Sequence, residues 1–143
     1  MTPSKRRRPR WRRLVLAALL LAAYPAFVLI YAWSHVLQSP LPGGRHGPLD
    51  AYRHTLASAV VAYTLDPRAI DLVNGVMERR GKRSNQMDIH NNLIGAGIGA
   101  RAARFADIEP TVSRSVAAGQ IDTPSPDQTT WLPRSDWKEG FAW

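Results

Sequence analysis

The sequence predicts an all-α protein in which one N-terminal transmembrane helix precedes a small extracytoplasmic domain of three to four helices. Two observations predict this class: residues 14–33 carry no charge, and residues 49–65 are rich in Ala and Leu with no helix breaker inside. The predicted order is a basic cytoplasmic tail (1–13), a transmembrane anchor (14–36), a linker (37–48), a helical domain (49–121) and an irregular C-terminal tail packing on the helices (122–143).

The basic residues are concentrated in the N-terminal tail. Seven of the nineteen Lys and Arg side chains fall within residues 1–13, which leaves twelve basic against eleven acidic residues in the rest of the chain. The sequence pI near 10.8 therefore reflects a short tail and not a basic domain. We accordingly expect no nucleic acid partner, because a basic stripe for phosphates is missing outside the tail.

The uncharged run after the tail predicts a membrane span. As a helix its twenty residues rise about 30 Å, which is the thickness of a bilayer's hydrocarbon core. Trp11 at one end and Tyr31 and Trp33 at the other suit the two interfaces. The preceding basic cluster predicts a single-pass cell-membrane protein with its N-terminus in the cytoplasm and the lipid bilayer as partner. A cleavable signal peptide is the alternative, although its apolar core is usually about 7–15 residues.

The segment after the anchor has the composition of a linker. Residues 34–48 contain three Pro and three Gly without any period, which predicts a flexible connection that lifts the domain off the membrane. The chain has no cysteine, so we expect packing alone to hold the outer domain together.

Four helices are predicted in the domain. Residues 49–65 form the first, and residues 67–80 form the second with Asp66 as N-cap. Residues 79–85 form a charged loop with Gly81 as a C-cap, and the third helix covers residues 88–106 with Asp88 as N-cap. Residues 109–118 form a short fourth helix. The tail that follows is too irregular in its aromatic spacing to predict a strand.

Small residues predict close contact between the first and third helices. Asn91, Gly95 and Gly99 are spaced four apart and share one edge of the third helix. Glycine costs about 1 kcal/mol relative to Ala in a helix, and close packing against the small residues around Ala59 offsets that cost. This packing brings the polar starts of the two helices together.

The polar cluster formed in this way is the candidate functional site. His54 or His90 can act as a base and Arg53 can hold an anion, while the Asn amides stabilise developing negative charge. A divalent metal is the candidate cofactor, bound by both His with one Asp, although the spacing of a His-x-x-x-His motif is missing. The predicted catalytic residues are Asp50, Arg53, His54, Asp88 and His90, and the predicted substrate-binding residues are Glu78, Asn91 and Asn92.

Each of these residues also has a structural explanation. Asp is a preferred N-cap residue, which explains Asp88 without chemistry. Arg53 can be a buried cation paired with Asp50 or Glu78. Two His beside Asp and Asn side chains raise the functional interpretation to equal weight, because ligand sites and shifted pKa values occur in such clusters.

Two motifs resemble a known family. The pattern Asp50-x-x-Arg53-His54, a later Glu78, and Met87-Asp88-x-His90-Asn91-Asn92-x-x-Gly95 together resemble an uncharacterised bacterial family of small helical domains. Members typically occur in secreted or membrane-associated proteins and at the ends of some toxin-like proteins. The resemblance covers residues 45–105 and implies a helical fold and an envelope location, but no mechanism.

Two function classes follow from the sequence. In the first, the protein is an anchored cell-envelope enzyme, a hydrolase, acting on an envelope substrate through the polar cluster. In the second, it is a non-catalytic binding or structural module, with or without a partner protein, in which the same residues form a buried polar network.

Overall fold

The computed structural model describes residues 10–77 and 81–138, and the described chain is mostly helical. The predicted Glu78 and the first nine residues of the basic tail lie outside the described residues, as do Phe141 and Trp143. The elements in chain order are α1 (Arg10–Val36), α2 (Pro48–Thr64), α3 (Arg68–Met77), α4 (Arg83–Arg101), α5 (Ile108–Ala117), β1 (Gln120–Ile121) and β2 (Thr130–Trp131).

The first helix has two halves with different surroundings. Its length and apolar composition are sufficient to cross a bilayer. Val28, Ala32 and Val36 recur four apart and are buried in the same core as residues of α2 and α5. The C-terminal half of α1 therefore belongs to the helical domain, whereas the sequence predicted an anchor separated from that domain by a linker.

The predicted linker is packed and not flexible. The backbone N–H of Leu132 donates to the carbonyl of His46 at 2.9 Å, and Arg45 forms a bridge with Lys138. Gly43 has a φ of 78° and approaches Gly47 so closely that a Cβ on Gly43 would lie 2.8 Å from the Gly47 Cα atom. This tight turn, stacked on Trp137, keeps the segment on the domain surface, whereas the sequence predicted a spacer that lifts the domain off the membrane.

The first two domain helices start near the predicted positions, and the first also ends near its predicted end. Pro48 occupies the first turn of α2, where its missing N–H leaves no bond unmade. The Asp66 carboxylate accepts a hydrogen bond from the Arg68 N–H at 2.8 Å, which confirms Asp66 as the cap before α3. Gly81 has a φ of 57°, the left-handed conformation expected of a residue that ends a helix.

The third domain helix, α4, begins five residues earlier than predicted. Its N-cap is Lys82, so Arg83 and the following polar residues are helical and not loop. Arg83 is held there by ion pairs with Asp122 and Asp136 of the C-terminal segment, contacts that local sequence patterns do not reveal. The prediction that Asp88 caps this helix was therefore wrong, because Asp88 lies more than one turn inside it.

The contact between α2 and α4 is as close as the small residues predicted. A Cβ atom on Gly95 would lie 2.2 Å from the Thr55 carbonyl oxygen, and one on Gly99 would lie 2.1 Å from that of Ala59. Only glycine fits at such distances. The helix ends at Arg101 and not at residue 106, because Phe105 turns away in a 3-10 segment to stack against Tyr31 and Tyr63.

The remaining elements close one side of the helix pair. The predicted fourth helix is confirmed as α5, and its Ile108, Val112 and Val116 fill the core. Contrary to the expectation of no strand, Gln120–Ile121 pairs in parallel with Thr130–Trp131. The segment after β2 packs against the start of α2 through Leu132 and Trp137.

Candidate metal site

Asp50 is the most buried charged residue of the candidate site. Its side chain is 3 % exposed, and its Oδ2 atom accepts a hydrogen bond from the His46 backbone N–H at 2.6 Å. Arg53, one turn further along α2, pairs with the Asp50 Oδ1 atom. The Asp50 carboxylate is therefore fixed in orientation by two partners on different segments.

His54 and Asp88 complete a cluster between α2 and α4. The His54 Nε2 atom lies 3.5 Å from Asp50 Oδ1 and 3.5 Å from Asp88 Oδ1. The two carboxylates come from helices that Gly95 and Gly99 allow to approach closely. With its side chain 23 % exposed, His54 connects this buried pair of acids to solvent.

Asp88 has an unusual electrostatic environment for a carboxylate. Burial raises the pKa of Asp88 from its ordinary value of 3.8 to about 6, and the nearby charge of Asp50 adds to that effect while His54 and Arg53 oppose it. Its Oδ1 atom is buried and has no hydrogen-bond partner among the described residues. An acceptor held in this way is costly unless it binds a proton or a cation.

The two distances from His54 to the carboxylates are longer than hydrogen bonds and are compatible with ligands of one metal ion. The ligand atoms of Asp50, His54 and Asp88 lie within 4.8 Å of one another. Ligands bound about 2.1 Å from a tetrahedral zinc ion lie about 3.4 Å apart, close to the two 3.5 Å distances from His54. A direct hydrogen bond from an imidazole nitrogen would be about 2.7–3.2 Å long. One imidazole and two carboxylates also form a ligand set that suits Zn²⁺ and similar divalent ions.

His46 is a neighbour of the cluster that sequence reasoning missed. Its Nδ1 atom is buried 3.8 Å from Asp50 Oδ2 and has no hydrogen-bond partner among the described residues. Burial lowers the pKa of His46, which favours the neutral imidazole that metals bind. His46 was missed because it follows Gly43, Gly44 and Arg45 in a segment whose composition predicted a linker. The four-residue spacing from His46 to Asp50 was the available signal.

The other predicted site residues lie elsewhere. His90 Nε2 is 2.8 Å from the Gln128 carbonyl oxygen, and the Asn91 amide exchanges two hydrogen bonds with the Thr130 backbone at 2.8 and 2.9 Å. Asn92 accepts from Ser58 and donates to Asn74. The structure thus brings together Asp50, Arg53, His54 and Asp88, whereas His90, Asn91 and Asn92 bind other segments of the domain.

A cleft is lined in part by α4 residues outside the cluster. It has a volume of about 340 Å³, and Met87 and His90 lie in its wall together with Arg83 and Thr130. Because Met87 is next to Asp88 in the chain, the cleft and the cluster are presented by neighbouring turns of one helix.

Comparison of the chain with protein-family models, curated proteins and solved structures finds no match. The resemblance of its two motifs to an uncharacterised helical family stays a prediction.

Proposed function

We propose that the protein is a membrane-anchored hydrolase of the cell envelope whose Asp50, His54 and Asp88 side chains bind a catalytic divalent metal ion. The observation that carries this proposal is the position of His54 Nε2, 3.5 Å from a carboxylate oxygen on each of two helices. The buried Oδ1 atom of Asp88, which has no hydrogen-bond partner among the described residues, supports it, because a metal ion would supply a partner for that oxygen.

The ligand set has the character of a catalytic and not a closed structural site. Asp50, His54 and Asp88 would leave a position open to solvent on a bound divalent ion, and such an ion would supply Lewis-acid chemistry there. Arg53, whose side chain is 13 % exposed, lies beside the cluster and pairs with Asp50, so it would hold that ligand in orientation. His46, whose Nδ1 atom lies 3.8 Å from Asp50 Oδ2, borders the site.

The envelope location rests on the N-terminal segment. The apolar length of α1 supports a retained anchor, and the basic residues before it support a cytoplasmic N-terminus with the domain on the outer side. The substrate or partner protein would then be a component of the envelope.

The alternative is a non-catalytic module in which the polar residues fix the helix pair. The complete pairing of Asn91 with the Thr130 backbone and the ion pair of Arg53 with Asp50 favour this reading for those residues. It explains less well why the Asp88 Oδ1 atom is buried without a hydrogen-bond partner.

Chelation and re-addition of metal test the hydrolase proposal. The full chain in detergent is treated with EDTA, and hydrolysis of bis(p-nitrophenyl) phosphate and p-nitrophenyl acetate is measured before and after Zn²⁺ or Mn²⁺ is restored. We expect metal-dependent hydrolysis that is lost in His54→Ala and kept in His90→Gln, the matched histidine control outside the cluster. Hydrolysis that is insensitive to EDTA, or equal in both variants, would contradict the proposal.

A further inference from the structure

Two contacts fix α1 against α2 in an antiparallel arrangement. The Tyr24 hydroxyl lies 2.6 Å from Thr64 Oγ1, and the guanidinium of Arg53 lies 5.5 Å from the centre of the Trp33 ring. The turn that follows α2 is therefore level with the middle of the apolar run in α1. The metal cluster is level with the outer end of that run.

Charged residues at the Thr64 end of the domain limit how deeply α1 can be inserted. Asp66, Arg68 and Asp71 are exposed there, next to the end of α2. The exposed ion pair between Arg104 and Asp107 adjoins Phe105, which stacks on Phe27 of α1. Charges are costly in hydrocarbon, so the outer boundary of the hydrocarbon lies near residues 24–27 of α1.

At the level of this boundary the domain presents apolar side chains to its surroundings. Leu65 is 59 % exposed, Leu72 is 78 % exposed and Val73 is 50 % exposed. In α3, Ile70 and Asn74 face the domain, Leu72 and Val73 lie on the exposed apolar side, and Arg68 and Asp71 occupy a polar arc. An amphipathic helix with these features is suited to lie in a membrane interface.

We infer that the α2–α3 end of the domain rests on the outer surface of the same bilayer that α1 enters, with Leu65, Leu72 and Val73 in the zone between headgroups and acyl chains. This inference rests on the anchor part of the proposed function. The half of α1 beyond residue 27 then packs against the domain and holds it at the membrane surface.

The apolar part of α1 left for the hydrocarbon is short. Residues 14–26 rise about 20 Å, which is less than the roughly 30 Å of an average hydrocarbon core. Arg12 and Arg13 can extend their charged ends toward the opposite surface, and the bilayer thins locally around a short span.

This orientation restricts which substrates reach the metal cluster. Helix α2 rises about 15 Å from Thr64 to His54 and about 21 Å from Thr64 to Asp50, so an upright α2 would hold the cluster roughly 15–20 Å above the docked end of the domain. This height would favour substrates that extend beyond the lipid surface.

Depth-dependent fluorescence quenching tests the orientation. Because the chain has no cysteine, one environment-sensitive thiol probe is placed at Leu72→Cys, at Leu19→Cys in α1, or at Ser135→Cys, an exposed position near the start of α2. The full chain is reconstituted in phosphatidylcholine–phosphatidylglycerol vesicles with lipids that carry the quencher either at the headgroup or deep in the acyl chain.

We expect the probe at position 19 to be quenched most by the deep label and the probe at position 72 most by the headgroup label. The probe at position 135 should be quenched several-fold less than either. A probe at 72 that behaves like the probe at 135, while position 19 is deep, overturns the docked orientation and leaves the anchor standing. A probe at position 72 that is quenched mainly by the deep label also overturns the docked orientation. A probe at position 19 that neither label quenches overturns the proposal that α1 is a membrane anchor.

Discussion

His54 on α2 and Asp88 on α4 face each other across the closest helix contact of the domain, with 3.5 Å between His54 Nε2 and Asp88 Oδ1. The distance is too long for a good hydrogen bond and matches that between two ligands of one metal ion. Because Asp88 Oδ1 is also buried, the charge of Asp88 is unfavourable at neutral pH unless a metal ion is bound.

Replacing Asp88 by Asn should stabilise the metal-free protein at neutral pH. The pKa of Asp88 is raised to about 6 in the folded state from an ordinary value of 3.8, so the folded state binds the proton more tightly and its stability falls as pH rises from about 4 through 6. A shift of that size corresponds to about 3 kcal/mol at most. We expect Asp88→Asn in EDTA to raise the free energy of unfolding by roughly 1–3 kcal/mol at pH 7.5 and by much less at pH 4.5.

Urea unfolding at the two pH values checks this prediction. The conservative Asp127→Asn, an exposed change, serves as the control that should shift neither curve. An Asp88→Asn variant that is less stable than wild type at pH 7.5 would show that the carboxylate is a satisfied structural group.

Adding a methyl group at Gly99 should weaken the contact between α2 and α4. A Cβ atom there would lie 2.1 Å from the Ala59 carbonyl oxygen, so the helices must separate. We expect Gly99→Ala to lower the free energy of unfolding by about 1–3 kcal/mol in thermal or urea melts. The matched change Gly75→Ala, whose Cβ meets nothing within 4 Å, should be neutral or stabilise by up to about 1 kcal/mol through helix propensity. Equal effects of the two changes would contradict the packing account.

Removing the Asn91 amide should release the C-terminal segment. The buried side chain makes two hydrogen bonds to the Thr130 backbone, and Asn91→Ala leaves both backbone groups unpaired at a cost of about 1–3 kcal/mol each. We expect faster proteolysis between residues 122 and 138 and a lower melting temperature. His90→Gln, which changes the neighbouring contact to Gln128 in a less buried position, should have the smaller effect. Unchanged proteolysis in Asn91→Ala would rule out this role.

Thiol labelling in intact cells tests the predicted topology. A cysteine at Ser135 should react with a membrane-impermeant reagent, and one at Ser4 in the basic tail should react only after the membrane is permeabilised. Labelling of Ser4→Cys but not Ser135→Cys in intact cells would reverse the orientation.

The sequence predicted the elements that local residue patterns determine, and it missed those whose position depends on contacts with distant segments. Helix spacing predicted α2 and α5, and the Gly95 and Gly99 spacing predicted the α2–α4 contact that joins Asp50 to Asp88. The start of α4 was misplaced because ion pairs from Arg83 to residues about forty and fifty positions later extend the helix.

The same limit applies to the site. Asp, His and Asn residues in one short stretch were expected to share a cluster, yet successive helical residues point in different directions. Asp88 therefore faces His54 of α2, while Asn91 faces the C-terminal segment and Asn92 bonds to Ser58 of α2 and Asn74 of α3. His46 was missed because the glycines around it gave the composition of a linker, and only tertiary packing places it beside Asp50.

The most direct test of the metal site is calorimetric titration of Zn²⁺ into the EDTA-stripped and desalted full chain in detergent at pH 7.5. The account predicts one zinc ion per chain for wild type and His90→Gln, with affinity reduced at least about 100-fold in Asp88→Asn and in His54→Ala. Wild-type affinity should also fall at pH 5, because protons then compete for Asp88, whose pKa is about 6. No zinc binding by the wild type, or equal binding by wild type and Asp88→Asn, would contradict the central claim.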